Sequence, residues 1–338
     1  MSKIETIREK IYQIEKQTLS DKATLACNSK GRLKPEEESP VRTEFQRDRD
    51  RIIHCSSFRR LKHKTQVFLS PEGDYYRTRL THTLEVSQIA RAIAVALSLN
   101  EDLTEAIALG HDLGHTPFGH AGERALAAVC PTGFKHYSQS LRVVDKLEKD
   151  GEGLNLTFEV RNGIERHTNG EPAATLEGRI VRLADRIAYI NHDIDDAKAA
   201  GVMCEEDIPI EIRDVLGYKK SERINTLVMN CIENSGDDIC LSPDIQMVFD
   251  MLHNFMFDMV YTNPICKSEE AKADAMLKAL YNHFVKFPER MPELYVKIAR
   301  TESPEIAACD YIAGMTDSYA VKIFNDLYIP KAWSFTDN

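Results

Sequence analysis

The stretch LGHDLGHTPFGHAGE occupies residues 109–123 and holds three histidines, an aspartate and a glutamate among four glycines and a proline. The whole chain has 11 histidines in 338 residues, so three within one short window indicate a site rather than average composition. His111 and His115 are four residues apart, a spacing that puts both side chains on one face of a helix. Pro117 disfavours a helical conformation at the residue before it. The stretch therefore predicts a helix that ends among clustered imidazoles, where glycines let a ligand approach the backbone.

Length and composition favour a helical protein with a sizeable core. The chain is 43% hydrophobic, and its 13 prolines and 16 glycines are too few for a β-sandwich built on many tight turns. The long segments have helical periodicity instead. We therefore predict an all-α fold in a single domain over residues 1–338. Its parts would be an N-terminal helix and irregular connection (1–40), a core segment (41–201) and a helical extension that contributes to the ligand pocket (202–338).

The charge distribution points to a small anionic ligand. A net charge of −10 argues against a general nucleic-acid coat protein, because nonspecific binding to nucleic acid needs a basic surface. Residues 42–79 nevertheless hold ten basic and five acidic side chains. An acidic protein with one basic segment fits an anion held in a focused pocket.

Cysteine spacing and hydropathy bear on the compartment. The eight cysteines show no Cys-x-x-Cys spacing, so neither a thiolate zinc site nor a redox pair is expected. The N-terminal sequence is charged and helical in pattern rather than a signal peptide, and no run approaches the ~20 apolar residues that span a bilayer. We expect a cytoplasmic protein without a membrane partner.

Apolar spacing predicts the principal helices. An amphipathic helix is expected over residues 2–20, and an apolar stripe over residues 81–99 begins at His82. Asn100 would cap the next helix, which runs to His111. A long helix is predicted from Pro172 to Ala200, ended by Gly201. The remaining expectations are a turn at 70–74, loops with short helices over 131–170, and helices over 247–259, 270–284 and 304–325.

Two histidines and two aspartates on separate helices form the predicted metal site. The intervals are 29 residues from His82 to His111 and 73 residues from Asp112 to Asp185, long enough for separate helices to converge. Mixed nitrogen and oxygen ligands suit Mn, Fe, Co, Ni or Zn, whereas Mg is less well matched to imidazole. Four protein ligands leave open positions on an octahedral ion, as catalysis requires. The alternative, four ordinary buried or capping polar residues, is weaker for the whole set than for His82 alone.

The four residues and the blocks around them resemble known enzymes. The pattern His82…His111-Asp112…Asp185 looks like that of the HD-domain metal-dependent phosphohydrolases, a large group. The flanking blocks are similar to those of the deoxyguanosine triphosphate triphosphohydrolase family, especially its shorter bacterial members: FQRDRDRIIHCSSFRRLKHKTQVF (45–68), RTRLTHTLEVSQIAR (77–91), HDLGHTPFGHAGE (111–123), FKHYSQSLR (134–142), EGRIVRLADRIAYINHDIDDA (177–197) and CDYIAGMTDSYA (309–320). This resemblance runs from about residue 20 to the C-terminus and implies an HD-domain helical bundle with additional C-terminal helices.

The resemblance also implies an activity. A deoxynucleoside triphosphate, dGTP or another dNTP, would be hydrolysed to the deoxynucleoside and inorganic triphosphate by water attack on the α-phosphorus. A divalent ion, Mn or Mg in assays, would lower the pKa of the water and polarise the phosphate. Relatives assemble as multimers, so a homo-oligomer is expected. An allosteric nucleotide or single-stranded DNA as a further partner stays open.

Four residues near the predicted metal site are candidates for proton transfer. The leaving 5′-oxygen departs poorly unless it is protonated, so a general acid is expected. His120 is the candidate, with Glu123 three residues on to stabilise its charged form. His115 and His136 would hydrogen-bond the α-phosphate or the water. Exchanged roles, with His115 acting as a base, stay open.

The family resemblance also suggests contacts with the substrate. Cations would lie near the phosphates, as expected for charge-assisted hydrogen bonds: Arg79, Arg59, Arg60 and Lys64. Tyr189, Asp193 and Gln66 would lie near the sugar and select deoxyribose. Tyr311 would help to close the nucleotide pocket, although a helix packed on the core would explain its segment nearly as well. Three other polar residues on the stripe of Asp185 either support the site residues from behind or are solvated, and we favour the interpretation that they are solvated: His192, Asp195 and Asp196.

Other functions are compatible with parts of the pattern. An HD hydrolase acting on a nucleoside monophosphate or a signalling nucleotide is the first alternative. The second is a catalytically silent sensor of nucleotide or single-stranded DNA, although the complete ligand set argues against it. A purely structural helical protein leaves the histidine cluster unexplained.

Overall fold

The chain folds into α-helices. The computed structural model describes residues 6–66, 77–168, 170–261 and 264–331, with side chains from residue 269 onward in the last range. Within these ranges it has no β-strand and only two isolated antiparallel bridges, Arg32–Thr157 and Thr65–Thr78. The all-α prediction is confirmed. The turn predicted at 70–74 lies outside the described residues.

Sixteen α-helices lie in the described ranges. Their bounds in chain order are α1 Ile7–Thr18, α2 Glu44–His54, α3 Ser56–Arg60, α4 Arg79–Ala96, α5 Glu101–Gly110, α6 Gly119–Val129, α7 His136–Arg142, α8 Phe158–Glu165, α9 Leu176–Ala199, α10 Ile210–Leu216, α11 Lys220–Asn234, α12 Pro243–Met256, α13 Pro264–Lys286, α14 Glu293–Thr301, α15 Pro304–Ala313 and α16 Asp317–Tyr328. Two π-helical turns follow α7 and α12, at Val143–Leu147 and Phe257–Tyr261. None of the described helices combines the length and apolar character that a bilayer span requires.

Helix α5 lies at the centre of the first apolar core. Leu103 and Ile107 on one face and Leu109 on the opposite face are all buried, as expected for a helix that packs on all sides. Helices α2, α4, α8 and α9 surround it. The histidine-rich stretch begins where α5 ends, so this core fixes the position of the candidate site.

Capping side chains explain where the long helices begin. The Asn100 side chain accepts a hydrogen bond from the Leu103 amide at 3.1 Å, which confirms the predicted start of α5. Helix α9 begins at Leu176 rather than at Pro172, because the Thr175 hydroxyl accepts from the Gly178 amide and caps the first turn. Its predicted end is confirmed by Gly201, whose positive φ of 67° leaves the helical region.

The predicted extension 202–338 is divided between two apolar cores. Helices α10, α11 and α12 pack on the first core through residues such as Leu216 and Phe249. Helices α13 to α16 form a second core with α6, around Leu126 and Phe284. The helical segment predicted over 304–325 is interrupted after Ala313, so that α15 and α16 are separate helices.

A buried carboxylate joins this second group of helices to the histidine-rich stretch. Asp317, the first residue of α16, accepts hydrogen bonds from the Thr65 amide at 3.0 Å and from the Thr65 hydroxyl. Its other oxygen accepts from the Phe118 amide at 3.0 Å. Three segments that are distant in sequence therefore meet beside the candidate site.

Gly114 allows the histidine-rich stretch to lie directly on α7. A Cβ at this position would lie 2.1 Å from the Ser140 backbone nitrogen and 2.3 Å from the Gln139 carbonyl carbon. We expect Gly114→Ala to lower the free energy of unfolding by at least about 1–3 kcal/mol, as overpacking does, in urea denaturation. Gly236→Ala is the control, because a Cβ there meets nothing within 4 Å. Equal losses in both variants would contradict this account of Gly114.

Candidate metal centre

The structure brings the four predicted metal ligands together. His82 lies in the first turn of α4, His111 and Asp112 follow the end of α5, and Asp185 lies in the middle of α9. The His82 Nε2 is 3.0 Å from an Asp185 carboxylate oxygen. The His111 Nε2 is 3.6 Å from an Asp112 oxygen and 3.8 Å from the same Asp185 oxygen. These separations are those of ligand atoms that share one ion.

A divalent cation fits this arrangement of donors. The His111 Nδ1 lies 2.6 Å from the Ala108 carbonyl oxygen, so Nδ1 carries the proton and Nε2 presents a lone pair. That Nε2 is buried and has no hydrogen-bond partner, a costly state for a polar atom unless a ligand occupies the site. Metal-bound histidines generally donate their other ring N–H in this way. His82, His111 and Asp112 offer ligand atoms within 4.8 Å of one another.

Both carboxylates are held in the ionised form that a cation needs. Burial raises the pKa of Asp112, but His111 and Arg79 more than reverse this effect, so the pKa lies well below its usual range. For Asp185, burial is likewise outweighed by the contact with the His82 Nε2 and by the neighbouring His111 ring, and its pKa is lowered to about 2. Asp112 and Asp185 are therefore both ionised at neutral pH.

Arg79, predicted to contact phosphate, pairs with Asp112, one of the candidate metal ligands. Its Nη1 donates to the Asp112 carboxylate at 2.7 Å and its Nη2 to the Gln66 carbonyl oxygen at 3.3 Å. The side chain is only 2% exposed, and its Nε has no partner. Arg79 thus neutralises and orients Asp112, and it retains one buried donor.

The four predicted proton-transfer residues also lie together, but with a different pairing. Glu123 accepts from the His136 Nδ1 at 3.0 Å and from the His136 amide at 3.1 Å. The His120 Nδ1 is 4.0 Å from the same carboxylate, beyond hydrogen-bonding distance, and its side chain is 63% exposed. Burial raises the pKa of Glu123, but His120 and His136 lower it far below its usual range. Glu123 therefore orients His136 directly, and His120 lies at the rim.

His115 is a buried, neutral imidazole. Burial and the charge of Arg79 lower the pKa of His115 well below its usual value. Its ring stacks on that of His136, with centroids 4.7 Å apart and planes 19° apart. Its Nδ1 is buried without a hydrogen-bond partner. A neutral histidine of this kind can accept a hydrogen bond from a water or donate one to a phosphate oxygen.

His167 belongs to the site and was missed in the sequence analysis. It follows α8 and is 1% exposed, with its ring centroid 5.0 Å from that of His111. Burial, reinforced by the neighbouring His111 ring, lowers the pKa of His167 to about 3. It lies in a short irregular segment without periodicity, so only its residue type could have indicated a role.

Two predicted sugar contacts have unpartnered oxygens. Asp193 accepts a hydrogen bond from the Tyr261 hydroxyl through one oxygen, while its other oxygen is buried without a partner. Burial raises the pKa of Asp193 to about 7. The Gln66 side-chain oxygen is also buried without a partner.

Tyr189 follows Asp185 by one turn of α9, and its ring lies 6.3 Å from that of His253. Tyr261 was not predicted, because it lies beyond the blocks that resemble the family.

The other predicted substrate contacts lie away from the four metal-type residues. Arg59 and Arg60 line a separate cleft of about 640 Å³, together with Arg42, Arg47 and Arg51. Tyr311 is buried in the second core, with its hydroxyl 3.1 Å from that of Tyr319. Arg59 and Arg60 therefore line a different cleft, and Tyr311 belongs to the second core.

Lys64 holds the backbone together instead of facing an open pocket. Its ammonium group donates to the carbonyl oxygens of His115 and, at 2.7 Å, of Ala313. The side chain is 2% exposed, and burial together with the charge of Arg60 lowers its pKa to about 7. Lys64 therefore joins the histidine-rich stretch to the end of α15.

The interpretation of His192 and Asp196 as solvated residues is wrong. His192 is 2% exposed, and its Nδ1 lies 2.9 Å from a Glu85 carboxylate oxygen. Asp196 is 6% exposed and accepts from Arg77 at 3.0 Å. Glu85 and Arg77 cover this face of α9, whereas Asp195 is half-buried and pairs with Lys220. The sequence stripe did not reveal that a second helix supplies these partners.

Comparisons with known proteins place this geometry in a family. Residues 79–190 match the HD domain, and residues 239–326 match the phosphohydrolase-associated domain. A deoxyguanosinetriphosphate triphosphohydrolase-like protein of Caldanaerobacter subterraneus subsp. tengcongensis is 51% identical over 329 residues, which cover 97% of each chain. The chain belongs to the deoxyguanosinetriphosphate triphosphohydrolase-like family.

Further relatives agree with this assignment. Triphosphohydrolase-like proteins of Clostridium perfringens strain SM101 and Clostridium tetani are 51% and 46% identical, with 96% of this chain covered in each and 98% and 97% of the relatives. The HD match includes all four candidate metal ligands of this family member: His82, His111, Asp112 and Asp185. A solved structure of a hypothetical protein from Aquifex aeolicus is 18% identical and covers 84% of this chain and 68% of its own, with a TM-score of 0.49. That similarity has no bearing on function.

Removal of one ligand carboxylate is expected to weaken metal binding. In Asp185→Asn, the centre loses a negative charge and His82 loses its anionic partner, so we expect Mn²⁺ affinity to fall at least tenfold in equilibrium dialysis. Asp195→Asn is the matched control, because Asp195 lies on the same helix and contacts Arg77 and Lys220 instead. Unchanged Mn²⁺ affinity in Asp185→Asn would show that the four residues do not form the site.

Asp193 is expected to destabilise the fold in a pH-dependent way. The pKa of Asp193 in the folded protein is about 7, above the usual value. The free energy of unfolding therefore falls as the pH rises from about 4 to 7, because the unfolded chain loses its proton first, and it does not recover at higher pH. Asp193→Asn should therefore raise the free energy of unfolding at pH 8, by on the order of 2–4 kcal/mol, and by less at pH 5. Denaturation of the metal-free protein at both pH values measures this; equal gains would point to packing instead.

Proposed function

We propose that this protein hydrolyses deoxynucleoside triphosphates to the deoxynucleoside and inorganic triphosphate, with dGTP as the first substrate to test. The observation that carries the proposal is the anionic His82, His111–Asp112 and Asp185 cluster with the neutral His115 beside it. It lies in a chain half identical to relatives that carry the name deoxyguanosinetriphosphate triphosphohydrolase-like protein.

His82, His111, Asp112 and Asp185 would hold a divalent ion. When bound, such an ion lowers the pKa of water and polarises a phosphoryl oxygen. Mn²⁺ and Mg²⁺ are the first ions to test, and the donor set also suits Fe, Co, Ni and Zn. Arg79 supports this role because it holds the Asp112 carboxylate in one orientation at 2.7 Å.

The surrounding histidines would move the protons. His115 is neutral and buried, so it can orient the attacking water or accept its proton. His120 is exposed at the rim, with its ring 5.7 Å from that of His115, and can exchange protons with solvent. It is our candidate for the donor to the leaving 5′-oxygen. Both ring nitrogens of His136 already face other side chains, Glu123 and His167. We therefore do not assign His136 a hydrogen bond to the phosphate.

Asp193 and Gln66 are proposed to recognise the sugar. Each presents a buried oxygen without a partner, an acceptor suited to a 3′-hydroxyl. The Tyr261 hydroxyl fixes the Asp193 carboxylate. Tyr189 is proposed as the ring that packs where a 2′-hydroxyl would protrude.

Further partners belong to the same proposal. A homo-oligomer is the assembly we expect. The cleft that contains Arg59 and Arg60 is our candidate for binding an allosteric nucleotide or single-stranded DNA, because guanidinium groups suit a phosphate chain. The other arginines of this cleft pair with carboxylates: Arg42 with Asp50, and Arg47 and Arg51 with Glu36.

The products decide between this function and its alternatives. The full chain with Mn²⁺ and each of the four dNTPs is expected to release deoxynucleoside and inorganic triphosphate in equal amounts, measured by anion-exchange chromatography. Asp112→Asn should reduce this release at least a thousandfold, and Asp195→Asn should retain it. Release of orthophosphate or pyrophosphate alone would indicate another hydrolase, and dGTP binding without turnover would indicate a sensor.

A further inference from the structure

Two residues in the left-handed backbone conformation directly precede His120. The φ angles of Phe118 and Gly119 are 61° and 54°, and α6 begins at Gly119. A bulky residue such as Phe rarely adopts this conformation, because its Cβ lies too close to the following carbonyl oxygen. A residue strained in this way persists only where surrounding contacts fix it. The position of His120 therefore depends on the groups that hold the Phe118–Gly119 turn.

Asp317 holds this turn from a distant part of the chain. Its Oδ1 accepts a hydrogen bond from the Phe118 amide at 3.0 Å. Its Oδ2 accepts from the Thr65 amide at 3.0 Å and from the Thr65 hydroxyl. Asp317 is 8% exposed, so water competes little for these donors. Hydrogen bonds to an ionised acceptor are stronger than neutral ones, so the carboxylate fixes the amide of the strained residue.

Two further contacts restrict the same turn. The Thr116 hydroxyl donates to the Gly119 carbonyl oxygen at 3.0 Å. A Cβ at Gly119 would lie 2.8 Å from the Gln66 carbonyl oxygen, so the turn packs directly on the segment around Thr65 and Gln66. Asp317 binds both this segment and the turn, and it therefore joins the two sides of the contact.

His120 depends on this backbone because its own side chain is loosely held. The side chain is 63% exposed, and its Nδ1 is 4.0 Å from the Glu123 carboxylate, beyond hydrogen-bonding distance. That carboxylate is bound to His136 instead. The ring of His120 lies edge-on to that of His115, with centroids 5.7 Å apart. The start of α6 therefore sets where the imidazole lies.

We propose that Asp317 is a positioning residue for the proton donor His120 and acts on it through the Phe118–Gly119 turn. This inference rests on the proposed function, in which His120 gives its proton to the 5′-oxygen as the bond between that oxygen and the α-phosphorus breaks. A displacement of about 1 Å in such a group can lower the rate on the order of 100-fold. Asp317 thus lets the final helices act on proton transfer without contacting the substrate.

A substrate whose leaving group needs no proton tests the proposal. In the dGTP analogue with sulfur in place of the 5′-oxygen, a thiolate leaves readily near neutral pH because a thiol has a pKa of about 8.5. The full chain with Mn²⁺ is assayed with dGTP and with this analogue, and kcat and KM are measured for each. In His120→Ala we expect kcat for dGTP to fall on the order of 100-fold, and kcat for the analogue to change little.

Asp317→Asn should show the same pattern in weaker form. One carboxylate oxygen becomes an NH₂ group that can only donate, so the amide of Phe118 or of Thr65 loses its acceptor. We expect kcat for dGTP to fall at least about tenfold more than kcat for the analogue, with KM for dGTP nearly unchanged. The ratio of the two kcat values does not depend on the fraction of folded protein, so general destabilisation cannot produce this result.

Thr116→Val is the second variant, because it removes the other hydrogen bond of the turn with little change in shape. It should shift the ratio in the same direction, and it decides the question if Asp317→Asn yields no folded protein. Asp48→Asn is the matched control. Asp48 is also buried and likewise accepts from the amide and the hydroxyl of one threonine, Thr157, so this variant should keep the wild-type ratio.

A wild-type ratio of the two kcat values in His120→Ala would overturn the proposal, as would equal losses of both kcat values in Asp317→Asn. Release of triphosphate from dGTP by the wild type, with an unchanged ratio in Asp317→Asn, would refute only the role of Asp317. No release of triphosphate by the wild type would refute the proposed function, and the role of Asp317 with it.

Discussion

The burial of ionised carboxylates among bare imidazole nitrogens is the constraint on which the rest of this structure depends. Asp112 lies in a helical core, where an unpaired charge is costly. Arg79 offsets that cost with a hydrogen bond at 2.7 Å, and His111 adds to the effect. The His111 Nε2 remains without a partner. Buried negative charge and an imidazole nitrogen without a hydrogen-bond partner are both unfavourable in a helical core. A bound cation would pair with both.

Close backbone contacts position the charged side chains. Gly114 allows the histidine-rich stretch to touch α7, where the Ser140 hydroxyl accepts from the Gly114 amide and donates to the His111 carbonyl oxygen. The ligand pair is thereby fixed from the backbone side, while Ala108 fixes the ring of His111. In this segment Gly114 and Ser140 form the close backbone packing and also position His111.

Much of the site could be predicted because its residues lie on helices with clear periodicity. His82, Asp185 and the His111–Asp112 pair follow apolar stripes, so their convergence could be expected from the sequence. His167 and Tyr261 could not, since one lies in an irregular segment and the other in a π-helical turn. Glu123 also has a partner that the sequence did not indicate: the start of α7 brings His136 to 3.0 Å, whereas His120, suggested by sequence proximity, lies 4.0 Å away. The burial of His192 depended on Glu85, a contact across helices that local spacing does not contain.

The two anchors at Lys64 and Asp317 have a consequence for how such chains can diverge. Lys64 binds carbonyl oxygens on both sides of the boundary between the two cores, and Asp317 receives amide hydrogens from Thr65 and Phe118. The part of the chain that carries the candidate metal ligands and the final helices are therefore joined by hydrogen bonds from these two side chains to main-chain atoms. A recombination event that exchanges the final helices between family members therefore has to preserve Lys64 and Asp317 together.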